Sequence, residues 1–353
     1  MSAFAARVIA WQKAHGRHDL PWQNTRDPYR IWLSEIMLQQ TQVSAVVPYF
    51  ERFLARFPDL AALAAAQEDA VLALWSGLGY YARARNLHRA AQAMVQRRGG
   101  VFPRDLEAVR ALPGIGRSTA AAICAFAYGT RAAILDGNVK RVLARHFGIP
   151  GYPGERRVEQ ALWRLSESLL PGSEIEAYTQ GLMDLGATLC VRASPRCELC
   201  PVGRSCAARR EGRTGEWPAP RPAKVLPQRE TTMLVLISGA ELLLERRPAP
   251  GIWGGLWCFP EVEHARLGID LGLEQECLAR FGLRIGAPQR LRDIEHGFTH
   301  FRLRITPLLV RTDRALRAGE PGSLWLTPED ARGAAIPAPV RKIIDLLDVI
   351  RDS

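Results

Sequence analysis

Residues 112–123, Leu-Pro-Gly-Ile-Gly-Arg-Ser-Thr-Ala-Ala-Ala-Ile, followed at 135–139 by Leu-Asp-Gly-Asn-Val, decide how the first half of the chain is read. Gly114 and Gly116 sit in a tight turn that opens a helix near Ser118. Such a turn lets backbone N–H groups and the positive end of a helix approach a phosphate. The same pattern also serves as a plain connection between helices, so its surroundings must choose. They are basic: residues 1–225 hold 30 Lys+Arg against 19 Asp+Glu, whereas residues 226–353 hold 17 of each. All of the net charge of +11 therefore lies in the first part, as expected of a domain that meets a polyanion. A clamp on a nucleic-acid backbone, made by Leu112, Gly114, Gly116 and Ser118, is the better reading.

Outward from the turn, residues up to about 189 read as helices with short breaks, among them DPYRIWLSEIMLQQ and NVKRVLARHFG. Residues 207–228 are rich in Pro, Gly and charge and read as a linker. Beyond it the pattern becomes α+β: TTMLVLIS and ELLLERR form a hairpin around Gly239, then come a Gly/Trp-rich loop, a helix, the strand segment FTHFRLRITPLLV and a last helix. A multidomain chain is expected, with an all-helical domain over 1–206 and an α+β domain over 229–353. There is no run of eighteen uncharged apolar residues and no signal-peptide pattern, so a cytoplasmic protein that does not enter a membrane is expected.

Four of the seven cysteines, Cys190, Cys197, Cys200 and Cys206, have six, two and five residues between them. In a cytosolic protein such a group reads as a metal centre and not as disulfides. Zinc and an iron-sulfur cluster both take four cysteines; a zinc ribbon uses two Cys-x2-Cys knuckles and only one is present, which favours a cluster.

Glu35 lies among Ile31, Trp32, Leu38 and Gln39 at helical spacing, where an apolar setting would raise its pKa and keep it protonated near neutrality. The plainer reading is a solvated helix carboxylate. Asp136 stands just before a helix that Asn138 can cap, and the helix start would favour its ionised form; N-capping is its plainer role. One neutral and one charged carboxyl beside phosphate-binding elements would divide acid and electrostatic work. Gln39 and Gln40, at the end of the Glu35 helix, and Tyr80, in Gly-Leu-Gly-Tyr-Tyr, are side chains able to wedge into a duplex that has lost a base from its stack. Core packing of Tyr80 or Tyr81 competes with that role.

Together these motifs resemble the helix-hairpin-helix DNA glycosylases of the endonuclease III and MutY type, with the hairpin over about 105–125 and the cluster loop over 190–206. LPWQNTRDPYRIWLSEIMLQQTQV, WSGLGYYARARNL, RRPAPGIWGGLWCFPE and HGFTHFRL are similar to the MutY-type adenine glycosylases, and the likeness spans about residues 5–345. The resemblance implies base-excision repair of adenine mispaired with 8-oxoguanine or guanine in double-stranded DNA. It implies that Glu35 protonates adenine, that Asp136 stabilises the charged sugar, and that Asn138 positions the site. It further implies a [4Fe–4S] cluster on the four cysteines, a monovalent cation at the hairpin, and Gln40 and Tyr80 inserted beside the oxidised guanine. A monomer is expected, and replication or repair proteins that bind it are not named by the sequence.

Two departures carry chemistry. Lyase relatives have Lys where this chain has Ser118, and a hydroxyl cannot form a Schiff base, so base removal without efficient strand cleavage is expected. The second domain resembles MutT-like Nudix hydrolases, but its helix LEQECLARFG offers Glu274 and Glu276 without the Glu-rich ligand set that holds Mg²⁺. It is expected to read the oxidised guanine through Phe298, Thr299 and His300, where relatives carry Phe-Ser-His. A thymine-glycol type lyase and a non-catalytic DNA-binding redox module are the rivals; the first lacks its hairpin Lys and the second would not need Glu35.

Overall fold

The computed structural model describes residues 1–223, 225–249, 251–262, 270–312 and 322–351. By contacts the chain divides into two units: Met1–Ala65 with Asn86–Ala223, and Ala66–Arg85 with Lys224–Ser353.

The helices run α1 (Ala3–His15), α2 (Pro28–Leu38), α3 (Val43–Arg56), α4 (Leu60–Ala65), α5 (Glu68–Trp75), α6 (Ala82–Arg98), α7 (Leu106–Arg110), α8 (Arg117–Tyr128), α9 (Gly137–Phe147), α10 (Arg156–Ser168) and α11 (Ile175–Asp184). Their ends are set locally. Asp27 caps α2 by accepting from Tyr29 N, with Pro28 at the first helical position. Gly129 and Gly148 close α8 and α9 in the left-handed conformation. The buried core of the first unit joins Val8 of α1, Ala121 and Ala125 of α8, Val139 and Leu143 of α9, Leu162 of α10, and Tyr178 and Leu182 of α11. Alanines on α8 let that helix approach its neighbours closely, and α2 packs against it. Carboxyl-bearing α2 and the start of α8 are thereby fixed to the same core.

The segment read as a linker does not begin at 207. Residues 207–210 form α12 (Ala207–Arg210), Ala208 is fully buried, and Trp217 is buried with its carbonyl accepting from Arg145 Nε. Arg213 stacks over the Trp217 ring at 4.4 Å. An indole anchors this stretch to the first unit despite its loop-like composition. At the other end, Gln228 already belongs to a strand; Lys224 lies outside the described residues.

The second unit is built on a sheet of β1 (Gln228–Ser238), β2 (Glu241–Arg246), β3 (Trp257–Cys258), β4 (Glu261–Val262), β5 (Gln289–Arg290), β6 (Ile294–Gly297), β7 (Arg302–Arg311) and β8 (Ser323–Leu326), in the order β3-β2-β1-β7-β5. β1 and β7 pair in parallel along their length, and Met233–Ile237 are all buried, the unbroken apolar run of a strand covered on both faces. The hairpin at Gly239 forms as read, with Ser238 opposite Glu241. α13 (Asp270–Phe281), α14 (Pro328–Gly333) and α15 (Ala338–Arg351) complete the α+β unit. Arg280 of α13 pairs with Glu245 at 2.5 Å and Glu276 at 3.9 Å, so a guanidinium occupies carboxylates that would otherwise face a cation. None of the described helices is long and apolar enough to cross a membrane.

Phe298–Phe301 are not part of a strand: Gly297 pairs with Arg302, and the four residues between form the tip of the β6–β7 hairpin. Residues 66–85, read within the helical domain, group with the second unit instead. Ser76 Oγ and Tyr81 OH both donate to Ile336 O, at 2.8 and 3.0 Å, and Asp69 pairs with Arg246 at 2.5 Å. If those contacts hold the segment, deleting residues 224–353 should raise amide hydrogen exchange across 66–85 by at least tenfold while α8 and α9 stay protected. Unchanged protection of 66–85 would return the segment to the first unit.

Candidate active site and nucleic-acid interface

Asp136 is the N-cap of α9: its Oδ1 accepts from Val139 N at 2.8 Å. This is the plainer role its sequence position allows; Asn138, the other residue able to cap, lies inside the helix, where its Oδ1 accepts from Arg141 Nη2 at 2.8 Å. Asn138 also abuts the π-helical turn Leu185–Leu189, where a Cβ on Gly186 would lie 2.5 Å from Asn138 Cβ. Burial raises the Asp136 pKa despite opposing backbone hydrogen bonds from Val139 and Asn138 and the charges of Arg141 and Lys140. The expectation of a carboxylate simply favoured by the helix start is thus corrected: desolvation is the larger effect.

Glu35 projects from α2 into a cavity of about 450 Å³ whose wall includes Arg17, Trp22, Ser34, Gln180 and Met183. Burial, and secondarily the Asp136 charge, push its pKa up to about 8. Asp136 receives two backbone N–H bonds and two nearby cations; among the described residues Glu35 has no hydrogen-bond or ion-pair partner. The pair therefore keeps its proton on Glu35 and its charge on Asp136. A cavity of this size, with a neutral acid on its wall, can receive a flat heterocycle and protonate it.

The far wall was not legible in the sequence. Asp184, fully buried, takes Arg17 through its backbone N and guanidinium, and Gln180 Nε2 at 2.8 Å. This single carboxylate ties the Arg17 loop to α11, more than 160 residues later. Only the tertiary fold brings Arg17 and Gln180 into the wall of the same cavity as Glu35.

The hairpin runs from α7 through Leu112–Gly116 into α8. Gly114 has φ +79°, and a Cβ there would lie 2.8 Å from Asn86 Cβ, so the turn presses its backbone against α6. Gly116 caps α8 without a side-chain hydrogen bond, leaving the first-turn N–H groups to outside acceptors. Ser118 Oγ accepts from Leu135 N at 2.9 Å, binding the hairpin helix to the residue before Asp136. Gln39 ends α2 with Nε2 3.4 Å from Thr119 Oγ1. Gln40, exposed, has φ +57°.

Tyr81, by contrast with its neighbour, is core. Tyr80 is 48% exposed at φ +49°, with Arg83 5.5 Å from its ring. Non-glycine residues in the left-handed region are strained and persist where surroundings enforce them. At the β6–β7 tip, Phe298 stacks on Phe301 at 4.4 Å, and Thr299 and His300 are exposed, Thr299 Oγ1 lying 3.3 Å from His300 Nδ1.

Cys190, Cys197, Cys200 and Cys206 are all free of disulfides and partly exposed. Burial raises the Cys200 thiol pKa, and the charges of Cys190, Cys206 and Cys197 raise it further. Arg145 Nη1 reaches Cys190 Sγ at 3.4 Å, and Arg141 Nε donates to Cys190 O at 2.7 Å. Among the described residues no three His, Cys, Asp or Glu side chains close directly on one metal ion. Soft thiol donors, no disulfide, and guanidinium groups to balance their negative charge fit a thiolate-held centre.

The ionisation of Glu35 has a measurable effect on stability. Its folded-state pKa exceeds the ordinary 4.5, so the folded state keeps a proton that the unfolded chain releases, and stability falls as pH rises from 4.5 to about 8. Glu35→Gln should therefore melt higher than the parent by several degrees at pH 8, with the gap closing toward pH 5. A gap independent of pH would show that Glu35 is not buried as a neutral acid.

Residues 33–168 match the model of the HhH-GPD superfamily of base excision DNA repair proteins, and residues 232–346 match that of the NUDIX domain. Adenine DNA glycosylase of Buchnera aphidicola subsp. Acyrthosiphon pisum is 35% identical over 97% of this chain and 97% of its own length. Adenine DNA glycosylase of Mus musculus is 32% identical over 99% of this chain and 78% of its own. The solved structure of a thermostable thymine-DNA glycosylase, 31% identical, superimposes with a TM-score of 0.54 over 59% of this chain and 95% of its own. With the cavity, its protonated acid and the hairpin in place, these likenesses show that the chain belongs to the adenine DNA glycosylase family of base-excision repair enzymes.

Proposed function

We propose that the protein removes adenine mispaired with 8-oxoguanine, and also adenine opposite guanine, without cutting the strand. The observation that carries this reading is the Glu35 carboxyl on the cavity wall, where burial, and secondarily Asp136, push its pKa up to about 8. Adenine leaves the stack and enters the cavity; extrusion costs a few kcal/mol, which backbone clamp and wedge residues offset. Glu35 gives its proton to a ring nitrogen, the bond from sugar to base breaks, and Asp136 balances the positive charge left on the sugar. Water then completes hydrolysis. Asn138 holds the start of α9 in register through Arg141.

Ser118 supplies no amine, and Lys140 Nζ is engaged by Glu159 at 2.5 Å, which supports base removal alone. Leu112, Gly114, Gly116 and Ser118 would hold a DNA phosphate, and a monovalent cation at the hairpin would complete the clamp. Gln40 and Tyr80 would enter the duplex, with Gln39 behind them, and Thr299 and His300 on the Phe298 hairpin would read the oxidised base. The four cysteines would hold a [4Fe–4S] cluster, whose chemistry here is to brace the loop.

Single-turnover excision on a duplex with one adenine opposite 8-oxoguanine, followed by alkaline cleavage, tests the reaction. The rate should fall as pH rises through about 8, when Glu35 loses its proton. Glu35→Gln and Asp136→Asn should each lose at least about a hundredfold in rate with mismatch binding retained. Equal loss of binding would make these carboxyls structural. Iron and sulfide in the ratio of a [4Fe–4S] cluster should accompany the purified protein; stoichiometric zinc would overturn that assignment.

A further inference from the structure

Within the second unit, the segment carrying Tyr80 meets the loop that backs the Phe298 hairpin. Arg85 Nη1 donates to Gly254 O at 2.6 Å. Gly255, with φ +79°, lies beside α5, where a Cβ would make ordinary van der Waals contact with Glu68 Oε1 at 3.5 Å and Leu72 Cδ1 at 3.8 Å. The residue before Gly254 is Trp253, buried and held at φ +57°, and its ring lies 5.6 Å from both Phe298 and His296. Phe298 in turn stacks on Phe301, closing the tip that presents Thr299 and His300.

The Tyr80 end of this chain of contacts is equally braced. Arg83 Nη2 donates to Leu78 O and Gly79 O, each at 3.1 Å, and Trp75 Nε1 donates to Gly79 O at 3.1 Å. Tyr81 OH accepts from Gly77 N and donates to Ile336 O. A loop with two glycines in the left-handed region is thereby held in one shape, and Tyr80 is the side chain it leaves exposed.

We propose that residues 66–85, the Gly251–Gly255 loop and the Phe298–Phe301 hairpin form one lesion-reading body, in which Arg85 is a positioning residue that sets the Tyr80 wedge and the Thr299–His300 tip in register through Gly254 and Trp253. The inference rests on the reading of Tyr80, Thr299 and His300 as lesion contacts. It places the wedge, which the sequence puts inside the catalytic domain, under the control of the second unit. Discrimination between oxidised and normal guanine then depends on a bond between two residues that touch neither base.

The test uses full-length protein and the ratio of single-turnover excision rates for adenine opposite 8-oxoguanine and opposite guanine. Tyr80→Ala and Thr299→Ala/His300→Ala define what the contacts themselves contribute. Arg85→Ala should lower the ratio about fivefold, Arg85→Lys should restore most of it, and Arg85→Ala combined with Tyr80→Ala should lose no more than Tyr80→Ala alone. Should Arg85→Ala fold poorly, Ser76→Ala, which removes one bond to Ile336, provides the same comparison. A normal ratio in Arg85→Ala beside lowered ratios in the contact variants, or strictly additive losses, would overturn the coupling alone. Normal ratios in the contact variants would remove the lesion reading and the coupling with it.

Discussion

The hydrogen bond from Val139 N to Asp136 Oδ1 is the contact on which the arrangement of the site turns. It begins α9, and α9 carries Asn138, Arg141 and Arg145 toward the cysteine loop on one side and Val139 and Leu143 into the core on the other. It also decides the ionisation of the carboxyl pair. Two buried acids cannot both be charged at low cost, and the one with backbone donors keeps the charge. Glu35, with none, keeps the proton. The cap of α9 and the charge-keeping member of the carboxyl pair are therefore the same residue, Asp136.

Much of this was legible from local pattern. The clustered cysteines, the hairpin glycines, the helix around Glu35 and the change to β structure after the first domain each declare themselves within twenty residues or so, because spacing and turn chemistry act locally. Nothing local announces that Asp184, one helical turn from Gln180, also takes Arg17, since those two meet only after α1 and α11 pack. Nor does composition reveal that Trp217 anchors a Pro/Gly-rich stretch, because one buried indole outweighs several loop-forming residues. The Phe298 tip reads as strand from its β-branched and aromatic residues; the pairing of Gly297 with Arg302 overrides that preference.

The cysteine loop illustrates a different kind of dependence. Arg145 is buried and donates to the carbonyls of Cys190, Val191, Arg192 and Trp217 as well as to Cys190 Sγ. A planar guanidinium with five donors suits this better than an ammonium could. Its charge is balanced by carbonyl dipoles and sulfur, which matches a loop built to surround an electron-rich thiolate centre. Loop order and the register of α9 are consequently parts of one framework.

The attachment of residues 66–85 to the later part of the chain has a consequence for how such proteins can be recombined. A hybrid joined at the Pro-rich stretch near residue 223 would unite a catalytic half from one parent with a partner half from another, and would appear to respect the domain boundary. It would nonetheless split the pairs Ser76–Ile336, Asp69–Arg246 and Arg85–Gly254 between parents. Compatible exchange requires the α5 segment to travel with the sheet it rests on, so in heredity the module is discontinuous even though the polypeptide is not.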